Sequence, residues 1–187
     1  MKKIFFVTSN KVKLREFQEF FKPLDIEVEQ IDLDVPEIRY ENVADVAREK
    51  ARYAAEKTGK LVVVEDTGLY INALKGFPGA CAKFVFFTIG LDGILKLLSG
   101  AKDRSAEFRA AIATAEPGKE PKVFLGIARG RIAEAPQGKG YGYDPLFVPE
   151  GRTKSFAEEY DVKQGVSHRA EALKKFADSL KKPQQKV

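Results

Sequence analysis

The 187 residues include a single cysteine, Cys81, and a single histidine, His168. One cysteine forms no internal disulfide, so paired-cysteine metal sites and extracellular cysteine frameworks are excluded. A cytosolic setting is the resulting expectation, with Cys81 read as a small packing residue. Long apolar runs are also missing. The opening stretch Met1-Lys-Lys-Ile-Phe-Phe-Val7 is too short in its apolar part for a signal peptide or a membrane span, and reads as a first strand. No internal repeat or long polar linker divides the chain, which predicts a single domain over residues 1–187, or two small lobes around a cleft. The P-loop spacing GxxxxGK[ST] is absent as well.

What is present suffices for a core: 44% of residues are hydrophobic and 32% charged. The net charge of +5 favours anionic partners, which include nucleic acid, free nucleotides and acidic membrane surfaces. Hydrophobic spacing predicts a strand at Ile4–Val7, then a helix carrying Leu14, Phe17, Phe20, Phe21 and Leu24 and ended by Pro23, then a strand at Ile26–Ile31. Asn42 caps a helix with Val43, Val46, Ala47, Ala51, Ala54 and Ala55 on one face, stopped by Thr58-Gly59. A strand at Lys60–Glu65 follows. Residues 73–88 read as a loop and a short apolar element, and Leu91–Leu98 as a helix. Alternating residues at 106–112 and 123–127 predict a hairpin, Leu146–Val148 a short strand, and Ser167 onward a last helix with a frayed tail from Lys181. The fold class is α/β, mixed, with helices flanking a central sheet.

Several charges sit where structure alone would not put them. Lys11 and Lys13 occupy the first turn of the first helix, where the helix dipole is positive and lysine costs roughly 0.3–1 kcal/mol per exposed charge. An anion there would reverse the sign, and Ser9, Asn10 and Lys13 make a candidate phosphate cradle; a solvated face on a capped helix is the competing account. Ser167-His168-Arg169 repeats the pattern at another helix start. Against these cations stand Asp32, Asp34, Glu37 and Glu41 in a turn, and Glu65-Asp66 closing the run Leu61-Val-Val-Val64, with Gly68 read as permitting a tight turn. Beside phosphates, such carboxylates supply oxygen ligands for Mg2+ or a base for water. Alternation sends Glu65 and Asp66 to opposite faces, so the two cannot share one environment and a choice between them is needed. Tyr141-Gly142-Tyr143-Asp144 offers rings that stack on a base and a carboxylate that accepts its N–H.

Five segments, Thr8-Ser-Asn-Lys-Val-Lys-Leu-Arg-Glu16, Val64-Glu-Asp-Thr-Gly-Leu69, Gly76-Phe-Pro-Gly79, Tyr141-Gly-Tyr-Asp144 and Val166-Ser-His-Arg169, together resemble the inosine triphosphate pyrophosphatase family in order and spacing. The resemblance implies a two-lobed α/β fold with a long twisted sheet, an active site in the cleft, a homodimer, and Mg2+-dependent hydrolysis of ITP, dITP and XTP to monophosphate and pyrophosphate. By resemblance, Asp66 is general base and metal ligand and Glu37 the second ligand. Lys13 is catalytic and holds phosphates with Thr8, Ser9, Asn10, Lys11 and Val12. Thr67 touches substrate, Tyr141 stacks on the base within Tyr141–Asp144, Asp144 reads the base edge, and Lys163, His168 and Arg169 complete the nucleotide contacts. Tyr141 stands where Phe is usual, Thr67 where Ser is common, and Lys83-Phe84 where an Arg-aromatic pair is usual. The rivals are a pyrophosphatase for modified pyrimidine or methylated nucleotides, and a basic nucleic-acid-binding module. The absence of a long basic stripe disfavours the latter, and no stable nucleic-acid or membrane partner is expected.

Overall fold

The computed structural model describes residues 2–36 and 40–181, so Glu37 and the segment 182–187 lie outside the described residues. The strands are β1 (Lys2–Val7), β2 (Ile26–Ile31), β3 (Val62–Ile71), β4 (Pro78–Gly79), β5 (Ser105–Ala115), β6 (Lys122–Ile132) and β7 (Phe147–Pro149). The helices are α1 (Lys11–Phe21), α2 (Val43–Thr58), α3 (Ala82–Leu97), α4 (Tyr160–Val166) and α5 (His168–Lys181). One mixed sheet runs β2-β1-β3-β5-β6-β7, with β4 pairing on β3. β1 is parallel to β2 and β3; the remaining pairs are antiparallel.

Two cores sandwich this sheet. On one face Phe17 and Phe21 of α1 and Leu173, Phe176 and Ala177 of α5 bury against Ile4, Phe6, Val63 and Ile112, with the Phe6 and Phe17 rings stacked at 3.8 Å. On the other, the alanine-lined side of α2 packs on Val62, Val64, Tyr70, Ala111 and Ala113. The α2 stripe read from the sequence is buried at all six positions. A third cluster forms around α3, Leu69, Ile71, Phe108, Tyr143, Phe147 and Phe156.

The structure corrects four expectations. β3 does not turn at Gly68 but continues to Ile71. Gly68 is small because an added Cβ would lie 2.6 Å from the Gly79 carbonyl oxygen, so the residue admits β4 rather than a turn. Residues 82–97 form α3, kinked where Gly90 takes φ 63°, instead of a loop and a separate helix. Cys81 is exposed at the start of α3 rather than packed. Leu24, assigned to the α1 stripe, is exposed in the short turn that follows the helix. The helix α4 was not expected at all.

Gly126 on β6 sets the position of α5. A Cβ there would overlap the His168 carbonyl oxygen and approach Ala172 N to 2.5 Å, so only glycine lets the start of α5 lie flat on the sheet. Overpacking of this kind costs about 1–3 kcal/mol. Gly126→Ala is expected to lower the urea midpoint by a corresponding amount and to reduce turnover more than stability alone explains, because α5 carries Arg169; unchanged stability would refute the close-contact account.

Candidate functional site

Strand alternation divides the two acids of β3. Val63, Glu65, Thr67 and Leu69 point toward α1, α5 and the third core cluster, while Val64, Asp66 and Tyr70 point toward α2. Each acid therefore meets a different set of cations.

Glu65 is buried, its side chain wholly inaccessible. Lys13 Nζ lies 2.6 Å from Glu65 Oε2 and donates to the Glu65 backbone carbonyl at 3.1 Å. Arg169 Nε reaches Glu65 Oε1 at 3.4 Å, and Thr67 Oγ1 donates to the same oxygen. Arg169 also donates from Nη1 to Glu16 of α1 and from Nη2 to Thr67 Oγ1 at 3.3 Å. Burial alone would raise the Glu65 carboxyl; Arg169 first, then Lys13, outweigh it and hold the group down to about 2. Burial likewise disfavours the Arg169 cation, and Glu65 and Glu16 overcome that, keeping it charged. One carboxylate thus joins the lysine of the first helix to the arginine of the last.

Asp66 faces Lys50, whose ammonium donates to Oδ1 at 2.9 Å. Burial raises the Asp66 carboxyl, with Lys13 and Lys50 opposing the rise, so this acid binds a proton more readily than Glu65. Its Oδ2 has no partner among the described residues. Tyr70, four residues on and on the same face, donates its hydroxyl to the Glu41 carbonyl at 3.0 Å and accepts from Val43 N–H at 3.1 Å, fixing the start of the helix that carries Lys50.

The turn before α1 is partly self-satisfied. Asn10 Oδ1 accepts from the N–H groups of Val12 and Lys13 at 2.9 and 3.2 Å, and Thr8 Oγ1 accepts from Asn10 N–H at 3.1 Å. The free-donor cradle expected from the sequence is correspondingly smaller: the N–H groups of Ser9 and Lys11 have no partner among the described residues. Asn10 Nδ2 donates to the Tyr141 hydroxyl at 3.3 Å, which brings the Tyr141–Asp144 loop to this turn.

On the loop side, Asp144 is buried and accepts from Lys163 of α4 at 2.6 Å; burial raises its carboxyl and Lys163 opposes the rise. Tyr141 is half-exposed, and Gly142 takes φ 60°. The Tyr143 ring lies in the third core cluster with its hydroxyl donated to the Ala82 carbonyl at 2.9 Å, so that side chain anchors the loop rather than facing a ligand. His168 stacks on Phe108 at 4.6 Å, and burial, then Arg169, lower its pKa well below the ordinary value, leaving it neutral with no partner for Nδ1 among the described residues. Ser167 caps α5 by accepting from Ala170 N–H at 3.1 Å, as expected.

The structure thus gathers Thr8, Asn10, Lys13, Glu65, Thr67, Tyr141, Asp144, Lys163 and Arg169 into one connected set, with Asp66 on the reverse face of β3. Glu37 lies outside the described residues. Lys50 and Glu16 were missed by sequence reasoning. Lys50 looks like any solvated lysine of α2, and only the helix-on-strand placement aims it at Asp66. Among the described residues no three His, Cys, Asp or Glu side chains cluster to hold a metal by themselves. Mg2+ needs only one or two protein carboxylates when phosphates supply further oxygens, so the open oxygen of Asp66 fits such an ion.

These features define a mixed α/β protein whose polar site is assembled by the starts of two helices around one buried strand carboxylate. Comparison with known proteins gives the narrower placement. The chain belongs to the Ham1 family, whose model matches residues 4–179. It is 48% identical over 181 residues to a dITP/XTP pyrophosphatase of Methanopyrus kandleri, covering 96% of each chain, and 45% identical over 181 residues to a dITP/XTP pyrophosphatase of Pyrococcus horikoshii, covering 96% and 97%. Among solved structures it matches a HAM1 protein from Coxiella burnetii with TM-score 0.85 and 32% identity, covering 96% and 98%. The motif resemblance and these matches lead to the same family.

Glu65→Gln tests the hub. The folded carboxyl, near 2, lies below its ordinary 4.5, so its stabilisation is complete above about pH 4.5 and is lost as pH falls toward 2. With metal chelated, the variant is expected to unfold about 3 kcal/mol more easily at neutral pH, and the gap should narrow below pH 4.5. A pH-independent gap would remove the ionised pairing as its cause.

Proposed function

We propose that this chain hydrolyses the non-canonical purine nucleoside triphosphates ITP, dITP and XTP to the monophosphate and pyrophosphate, as a Mg2+-dependent cytoplasmic homodimer. The observation that carries the reading is the meeting of Lys13 and Arg169 on Glu65, one strand position from Asp66. It unites a phosphate-binding helix start, a base-side arginine and a second carboxylate that feels the Lys13 charge without being hydrogen-bonded to it.

Lys13 has three ammonium donors, two of which the Glu65 side chain and carbonyl fix. The third is left for phosphate oxygens, joined by the open N–H groups of Ser9 and Lys11. Asp66, with Glu37 as its companion by sequence, would hold Mg2+, which on binding supplies charge neutralisation to the phosphates and the departing pyrophosphate. Asp66 orients the attacking water toward the α-phosphorus and accepts its proton, and the raised affinity of this carboxyl for a proton suits that task. Lys50 holds the Asp66 carboxylate in place.

At the other end Tyr141 stacks on the purine. Among the described residues Arg169 keeps two N–H groups beyond those taken by Glu65, Glu16 and Thr67, and the His168 backbone N–H is also open. Both are donors suited to a 6-oxo group, whereas the amino group of adenine would leave them unpaired. Asp144, oriented by Lys163, accepts from the ring N–H.

The homodimer reading finds support in α3, which exposes Phe84 at 61% and Phe87 at 70%, three positions apart on one face. Rings so exposed suit an interface core. Among the described residues no helix is long and apolar enough to cross a membrane.

A panel of ITP, dITP, XTP, ATP and GTP with and without Mg2+ checks the substrate claim: pyrophosphate release from the first three, requiring the metal, is expected, and equal turnover of ATP would contradict it. Asp66→Asn is expected to lower kcat by roughly 100-fold or more with the fold intact. Substantial residual activity would take the base role from Asp66. In light scattering, Phe87→Asp should convert a dimer to a monomer; an unchanged mass would move the interface off α3.

A further inference from the structure

Two tyrosine hydroxyls on the base side of the site reach back to α1. Asn10 is fixed in orientation, since its Oδ1 accepts from two helix N–H groups and Nδ2 must therefore be the outward donor. That donor meets the Tyr141 hydroxyl at 3.3 Å. Farther along α1, Arg15 Nη2 donates to the Tyr160 hydroxyl, also at 3.3 Å. Tyr141 stands in the Gly-rich loop that leads to Asp144, and Tyr160 is the first residue of α4, the helix that brings Lys163 to Asp144. The Lys163 ammonium lies 5.8 Å from the Tyr160 ring centre, so Tyr160 borders the same ion pair.

Core packing does not explain these hydroxyls. Tyr141 is 52% exposed and Tyr160 41% exposed, and neither hydroxyl has a second hydrogen-bond partner among the described residues. Each bridge joins segments more than a hundred positions apart, Asn10 to Tyr141 and Arg15 to Tyr160. Both cross from the helix assigned to phosphate to the segments assigned to the base.

We propose that Tyr141 and Tyr160 are positioning residues whose hydroxyls tie the base-side loop and α4 to α1 before substrate arrives. The inference rests on the nucleotide-binding reading above and adds a function for the two hydroxyls. Without the bridges, loop 138–142 and the start of α4 must be ordered by the substrate itself, which weakens binding and leaves the chemical step alone. A phenylalanine ring stacks on a purine as tyrosine does, so Tyr→Phe removes the bridge and keeps the shelf.

The test uses the full-length enzyme with ITP and Mg2+, comparing Tyr141→Phe, Tyr160→Phe and the double variant. Exposed hydrogen bonds of this kind are modest, so KM is expected to rise about 2–3-fold in each single variant and about 5–10-fold in the double, the change falling on KM rather than kcat. Amide hydrogen exchange across 138–142 and 160–166 in the nucleotide-free double variant should speed up, and return to wild-type rates when IMP saturates the site. Tyr141→Ala separates the two readings. If it leaves KM unchanged, base stacking at this loop fails and the bridge loses its purpose. If it raises KM while both Phe variants match wild type in KM and exchange, the bridge proposal alone is overturned. A lower KM in the Phe variants would also overturn it, since the hydroxyls would then be competing with substrate.

Discussion

The site depends on a single buried carboxylate shared by two cations. Glu65 lies inside the protein, where an unpaired charge would be prohibitively costly, and it is kept ionised by Arg169 and Lys13 together. Because those cations come from the last and first helices, the arrangement of α1 and α5 on one face of the sheet and the electrostatics of the site are one constraint. Glu16 extends it by holding Arg169 from α1 as well. Removing Glu65 takes a partner from both cations at once, so the helices, the strand and the site are positioned jointly.

Asp66 is the neighbour that feels the Lys13 charge but takes no hydrogen bond from this network. The two-residue period of β3 turns it to the face of α2, where Lys50 is its only hydrogen-bond partner among the described residues and one oxygen stays open. Burial pushes both acids upward. Only Glu65 has enough positive charge around it to be driven well below the ordinary range; Asp66 stays raised. The pair therefore differs in environment: one acid holds two cations in place, and the other, in the mechanism proposed above, is the one left for metal and water.

Much of the frame was legible in the sequence. The α2 stripe, the β5–β6 hairpin and the strand at β1 followed from hydrophobic spacing, and capping residues before a helical apolar spacing marked α1. Three kinds of feature were not legible. Glu65-Asp66-Thr67-Gly68 looks like a strand end because polar residues inside a strand make sense only once their distant partners are known. Gly126 carries no local signal, since its role is to let α5 approach from elsewhere in the chain. Lys50 and Glu16 fall on helix faces that read as solvated until β3 and Arg169 are placed against them. The choice of Asp66 over Glu65 as the working acid came from family resemblance in the sequence; the structure adds that the two acids meet different cations.

In the proposed reaction, water oriented by Asp66 attacks the α-phosphorus and expels pyrophosphate. Hydrolysis of ITP in 18O-labelled water tests it directly. One labelled oxygen should appear in the monophosphate and none in the pyrophosphate; label in the pyrophosphate, or release of inorganic phosphate as the primary product, would contradict it.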